Sequence, residues 1–163
     1  MKNFILLFLL TFSTFACAQT DSISQEDQTL LKRFFEYANQ NNISKLPINE
    51  KISAIGRYFI ETPYVGGTLD INKQEQLVVN LREFDCVTFV DNVLALALMD
   101  KYDKSNLPQF LTNLKKIRYR NGEITDYTAR LHYSSDWLHE MEHSGIIENI
   151  TKEKGGIPFT NKV

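Results

Sequence analysis

The chain has 163 residues, enough for one compact domain with a sizeable buried core. Hydrophobic residues make up 43% and charged residues 23%, close to the averages of folded domains, which excludes a disordered chain and a membrane bundle. With 18 basic against 20 acidic residues the formal charge is −2, a balance that argues against binding a nucleic-acid backbone, where clustered Lys and Arg are needed.

The N-terminus stands apart from the rest. In residues 1–18 the only charge is Lys2, an apolar run fills residues 4–10, and Ala16, Cys17 and Ala18 supply small side chains. The run is shorter than the roughly 20 apolar residues that a membrane span needs, so residues 1–18 read as a signal peptide. Two processing routes fit: cleavage before Gln19, or a lipoprotein junction at Cys17, for which Thr14 and Phe15 make a poor lipobox. The chain is therefore expected in the periplasm or outside the cell, attached to a membrane only if Cys17 carries a lipid. Either route leaves Cys86 as the one thiol of the mature chain. An unpaired cysteine in an oxidising compartment calls for a buried or a chemical role.

In chain order, Ser24-Gln25-Glu26-Asp27 resembles a capping box, and Leu30, Leu31, Phe34, Phe35 and Ala38 follow at helical spacing, predicting a helix to about Gln40. A second apolar stripe, Ile52, Ile55, Phe59 and Ile60, follows Pro47 and closes at Thr62-Pro63. Tyr64-Val65-Gly66-Gly67 reads as a loop in which the glycines allow a tight turn and the close approach of a ligand. Residues 77–81 have the composition of a strand or an extended stretch. From about Asp85 to Met99 apolar side chains leave little polar face, so this helix is expected at the centre, with Asp85 as N-cap and Cys86 in its first turn. Asn106 and Pro108 open a fourth helix, and Arg118 to Gly122 end it in a turn. Residues 125–133 alternate with period two, placing Thr128, Arg130 and His132 on one face of a predicted strand. Ser134 or Ser135 caps a last helix that stops at Gly145.

A cysteine at a helix start lies beside free backbone N–H groups and the positive end of the helix dipole, which favour the thiolate. The same amides can serve as an oxyanion hole for a reacting carbonyl. Tyr64-Val65-Gly66-Gly67, followed by Phe84-Asp85-Cys86-Val87-Thr88-Phe89-Val90, resembles the Y-x-G-G and D-C-[ST]-x-[FL]-V pattern of NlpC/P60 hydrolases, papain-like cysteine peptidases and amidases of bacterial cell walls. More closely, Thr62-Pro63-Tyr64-Val65-Gly66-Gly67-Thr68-Leu69, the stretch from Leu81 through Asp91-Asn92, and Leu131-His132-Tyr133-Ser134-Ser135-Asp136-Trp137 resemble the DUF1460 family, which is similar to N-acetylmuramoyl-L-alanine amidases.

The resemblance implies hydrolysis of the amide between muramic acid and the stem-peptide alanine, with Cys86 as the nucleophile that forms an acyl-enzyme, and peptidoglycan fragments (muropeptides) as partners. It implies no cofactor and no metal. By position, Tyr64 with Gly66 and Gly67 would line the site, and Asp85 would hold the loop before the nucleophile. It also implies an α+β fold: a helical N-terminal half whose nucleophile helix packs on a small antiparallel sheet, as an incomplete papain-like domain over residues 19–163. That domain is read as truncated at its C-terminus, where the family carries the catalytic histidine. Of the histidines here, His139 and His143 lie one helical turn apart and read as a solvated face. His132 is the tentative base, or else a structural histidine beside Arg130 and Trp137. Arg130 is a candidate partner for a muropeptide carboxylate or for a surface salt bridge. Two further readings stay open, a muropeptide-binding module without catalysis and an inactive fragment.

Overall fold

A computed structural model describes residues 23–157, in which five α-helices are joined by extended segments and short 3-10 turns. Helix α1 spans Gln25–Gln40, α2 Ile48–Tyr58, α3 Cys86–Ala97, α4 Leu107–Arg118 and α5 Ser134–His143. The signal-peptide reading and Cys17 lie outside the described residues. Among the described residues no helix is long and apolar enough to cross a membrane.

Helix α1 begins at the predicted cap: the Asp27 N–H donates to Ser24 Oγ at 3.0 Å. The Asp27 side chain does more than cap. Fully buried, its carboxylate accepts the Ser24 hydroxyl, the Leu81 N–H at 2.8 Å and Arg82 Nε at 3.3 Å, tying the head of α1 to the segment that leads into α3. The apolar face of α1 centres on Phe34, whose ring meets Tyr58 at 5.3 Å, Phe59 at 5.6 Å and Tyr102 at 5.4 Å, an aromatic cluster that clamps α1 to the end of α2. Tyr102 reaches through to donate to Leu96 O at 3.1 Å, and its burial raises the phenol pKa to about 12.

Helix α3 lies between α2 and α4 and is the most apolar of the five, as its composition predicts. Its buried polar residues are tied down individually. Asn92 Nδ2 donates to Thr88 O at 2.8 Å, and Arg118 Nε from the end of α4 donates to Asp91 Oδ2 at 2.9 Å. Helix α5 stops at Gly145, which takes φ 71° while the Gly145 and Ile146 N–H groups bond back to Glu142 O and Met141 O, the Schellman arrangement that glycine permits.

The expected α+β architecture is not what forms. The described residues contain no sheet, only two isolated bridges, Tyr64 with Phe84 and Tyr119 with Arg130, so the Cys86 helix does not pack on a small antiparallel sheet. The physical reasons differ between the two predicted strands. Residues 77–81 are buried but form no strand, and their backbone is held by side chains rather than by a neighbouring strand. Arg118 Nη1 donates to Val78 O at 2.6 Å, the Tyr119 hydroxyl donates to Gln76 O at 2.9 Å, and Leu81 N–H donates to Asp27. In residues 125–133 the alternation is overruled by a local cap. Asp126 Oδ1 accepts the Thr128 N–H at 2.8 Å and its hydroxyl at 2.6 Å, folding Tyr127–Ala129 into a 3-10 turn before the chain reaches its single bridge at Arg130.

Candidate active site

The Tyr64 bridge brings two distant motif blocks together. Val65 N–H donates to Phe84 O at 2.9 Å and Phe84 N–H donates to Pro63 O at 3.0 Å, laying the Tyr-x-Gly-Gly segment beside the residues that run into α3. Phe84 anchors this junction in the core, its ring edge-on to Phe59 at 5.5 Å and Phe89 at 5.9 Å. Tyr64 itself is exposed. Gly67 turns the chain with φ 76°, and a side chain at either Gly66 or Gly67 would meet no atom within 4 Å, so this stretch stays open to an approaching molecule.

Asp85 closes a capping box at the head of α3. Its Oδ1 accepts the Val87 N–H at 3.0 Å and the Thr88 N–H at 2.7 Å, while Thr88 Oγ1 accepts the Asp85 N–H at 2.9 Å. Cys86 follows as the first helical residue, its thiol exposed and outside any disulfide. Val87 and Val90 are exposed on the same helix, so the thiol stands at the margin of an apolar surface. Of the amides expected to stabilise an anion here, those of Val87 and Thr88 already serve Asp85. The Cys86 N–H has no hydrogen-bond partner among the described residues.

His132 is exposed, and its hydrogen bond and ring contact are both to Tyr127. Nε2 lies 3.0 Å from Tyr127 O and the two rings are 4.1 Å apart. A carbonyl only accepts, so this bond needs a proton on Nε2, and Nδ1 is the ring nitrogen that could accept. Among the described residues His132 makes no hydrogen bond to Cys86. The His139 and His143 rings stack 6.5 Å apart on α5, and no group of three His, Cys, Asp or Glu side chains among the described residues is arranged to hold a metal.

Arg130 is buried and fully engaged within the chain. It donates to Glu75 at 2.6 and 2.9 Å and to Asp70 at 2.7 Å, with the Tyr127 ring 5.1 Å away. Burial opposes its charge, but the bonds and charges of Glu75 and Asp70 outweigh that and hold its pKa above the ordinary arginine value. The Tyr119 hydroxyl joins the cluster at Glu75 Oε1, 2.7 Å away. The role visible in this geometry is to tie the loop around residues 70–75 to the segment that ends in His132.

The buried pair of Asp91 and Arg118 went unassigned in the sequence reading. Burial raises the Asp91 carboxyl above its ordinary range, against the pull of the Arg118 charge and hydrogen bond. Asp91 Oδ1 and Arg118 Nη2 stay buried without partners, as do Asn92 Oδ1 and Thr68 Oγ1. The available signal was an acidic residue inside an otherwise apolar helical run, which demands a buried counter-charge.

A mostly helical domain with an exposed thiol at the head of its central helix is the class that the fold and site define. Residues 54–162 match the family model described as AmiA-like, N-acetylmuramoyl-L-alanine amidase-like, and the chain belongs to that family. Among solved structures it is similar to an N-acetylmuramoyl-L-alanine amidase from Bacteroides uniformis, with 39% identity over 64% of this chain and 43% of that one at a TM-score of 0.60. A Bacteroides fragilis protein provisionally described as a xylanase has 41% identity over 61% of this chain and 43% of that one, TM-score 0.57. A Legionella pneumophila protein of the DUF1460 family has 30% identity over 77% of this chain and 41% of that one, TM-score 0.63. The chain thus spans about two fifths of the length of these structures. No curated protein matches it.

Proposed function

We propose that this chain carries the nucleophile of a cell-wall amidase of the NlpC/P60 kind, acting on the amide between N-acetylmuramic acid and the L-alanine of the stem peptide. The observation that carries the reading is Cys86: exposed, first in α3, held by the Asp85–Thr88 box and bridged through Phe84 to Tyr64. Cys86 Sγ, as thiolate, attacks the carbonyl carbon of the lactyl group, and the Cys86 N–H faces the oxygen as it gains charge. The C–N bond breaks as the alanine amine takes up the proton that the thiol gave up to water, and a second water cleaves the thioester, giving the lactyl carboxylic acid and restoring the thiol. Export, with residues 1–18 as signal peptide, would deliver the chain to this substrate.

The test is release of stem peptide from soluble muropeptides by the chain and by Cys86→Ser, with circular dichroism to show that both are folded. Loss of release by roughly 10³-fold or more in Cys86→Ser is expected, and equal release by both would sink the nucleophile assignment. A second reading, a muropeptide-binding module, draws support from His132, whose Nε2 proton is committed to Tyr127 O, so that only Nδ1 could act as base. Muropeptide binding without release by the unaltered chain, together with Cys86 alkylation unchanged by His132→Ala, would favour that module.

A further inference from the structure

Residues 70–75 form a strap that one arginine holds at both ends. Arg130 Nη1 donates to Asp70 at 2.7 Å, and Arg130 Nε and Nη2 donate to Glu75 at 2.9 and 2.6 Å. Between these anchors the backbone of residues 71–74 makes no hydrogen bond among the described residues, and all four residues are exposed. Ile71 lines a cleft of about 470 Å³ yet stays exposed, so it gives the strap no apolar anchor. A segment without backbone bonds or buried apolar contacts opens locally at a cost that its end anchors set. Those anchors are unequal. The Glu75 side chain is 5% exposed, takes two of the arginine bonds and accepts the Tyr119 hydroxyl. Releasing it would strand a buried carboxylate beside a buried guanidinium. The Asp70 side chain is 58% exposed and can trade Arg130 for water at small cost, because Glu75 keeps the guanidinium neutralised.

The strap is also a partition. Asn72 lines both that cleft and a second cavity of about 830 Å³, whose wall includes Asp126, Tyr127 and Arg130. The cleft itself extends to Glu83, three positions before Cys86. We infer that residues 70–75 are a gate, hinged at Glu75 and latched at Asp70, whose opening joins the two cavities into one groove. Salt screens an exposed ion pair far more than a buried one, so rising ionic strength loosens the latch while the hinge holds. The gate belongs to the fold and does not depend on which bond Cys86 attacks. What it controls is the length of ligand that the groove can hold.

Limited digestion of the whole chain with trypsin, which must draw the strap out of place to cut after Lys73, tests the gate without any turnover. Asp70→Asn should speed that cut by about fivefold with an unchanged urea midpoint, whereas Glu75→Gln should lower the midpoint. Raising sodium chloride to about 0.5 M should speed the cut by about twofold in the unaltered chain and leave Asp70→Asn unchanged, with a free peptide of the strap sequence correcting for the protease's own response to salt. In amide NMR spectra Asp70→Asn should shift residues on both cavity walls, around Thr68 as well as around Tyr127. An unchanged cut in Asp70→Asn, or a midpoint lowered as far as in Glu75→Gln, overturns the latch. Shifts confined to residues 69–75 and Arg130 overturn the joining of the cavities.

Discussion

Asp85 stands where two demands oppose each other. As N-cap it takes the Val87 and Thr88 amides and starts α3, yet its carboxylate sets a negative charge beside Cys86, which on the proposed function becomes an anion. Asp85→Ala should therefore have two effects of different sign. Stability falls by about 1 kcal/mol, or up to about 2, read from urea unfolding. Iodoacetamide modification of Cys86 at neutral pH becomes several-fold faster in the folded chain, since two amides are released and one charge removed. Slower modification would mean instead that Asp85 positions the thiol and that this positioning outweighs its charge. Arg130 carries a related lesson. A lone arginine on an alternating segment invites a substrate role, whereas its acceptors Glu75 and Asp70 lie 55 and 60 positions earlier in the chain. No local pattern could display that pairing.

At the scale of elements, what was legible had a local cause. The starts of α1 and α3 and the stop of α5 follow from Ser24, Asp85 and Gly145, each of which completes its bonds within a few residues. What misled was period-two alternation, which reports extension or burial but not whether a neighbour lies alongside. For residues 77–81 the burial was real and the neighbouring strand absent. For residues 125–133 Asp126 bent the chain instead. That turn has a pH signature. The Thr128 hydroxyl and amide hold the Asp126 carboxyl below the usual aspartate range. Because the folded value lies below the unfolded one, the stabilisation is complete above about pH 3.9 and is lost as pH falls through the lower folded value. Carbon-detected NMR titration should find Asp126 among the lowest-titrating aspartates, with the Thr128 amide shift following it. Asp126→Asn should remove that shift. The site was legible in the same partial way: Cys86, Asp85 and the Tyr64 segment were found as motif blocks, while their contact through Phe84 became visible only once the chain was folded.

For the whole molecule, charged side chains do the tethering that a sheet would otherwise provide. Asp91 and Arg118 are both buried, and Arg118 also grips the carbonyl of Val78. Arg118→Met leaves the Asp91 carboxylate without its counter-charge and frees that carbonyl, so a loss of about 3–5 kcal/mol is expected in urea unfolding. Val79→Ile in the gripped segment itself should cost less than about 1.5 kcal/mol. A loss for Arg118→Met no larger than for Val79→Ile would show that packing alone holds residues 77–81.

The tether has an evolutionary corollary. Its hooks on residues 76–81 are all backbone atoms, the carbonyls of Gln76 and Val78 and the amide of Leu81, whereas the hands that hold them are the specific side chains of Tyr119, Arg118 and Asp27. Sequence drift is therefore free on the held segment, so long as volume and polarity are kept, and forbidden at three positions remote from it. In diverging copies of this domain, the apolar run would wander while the three remote residues stayed fixed.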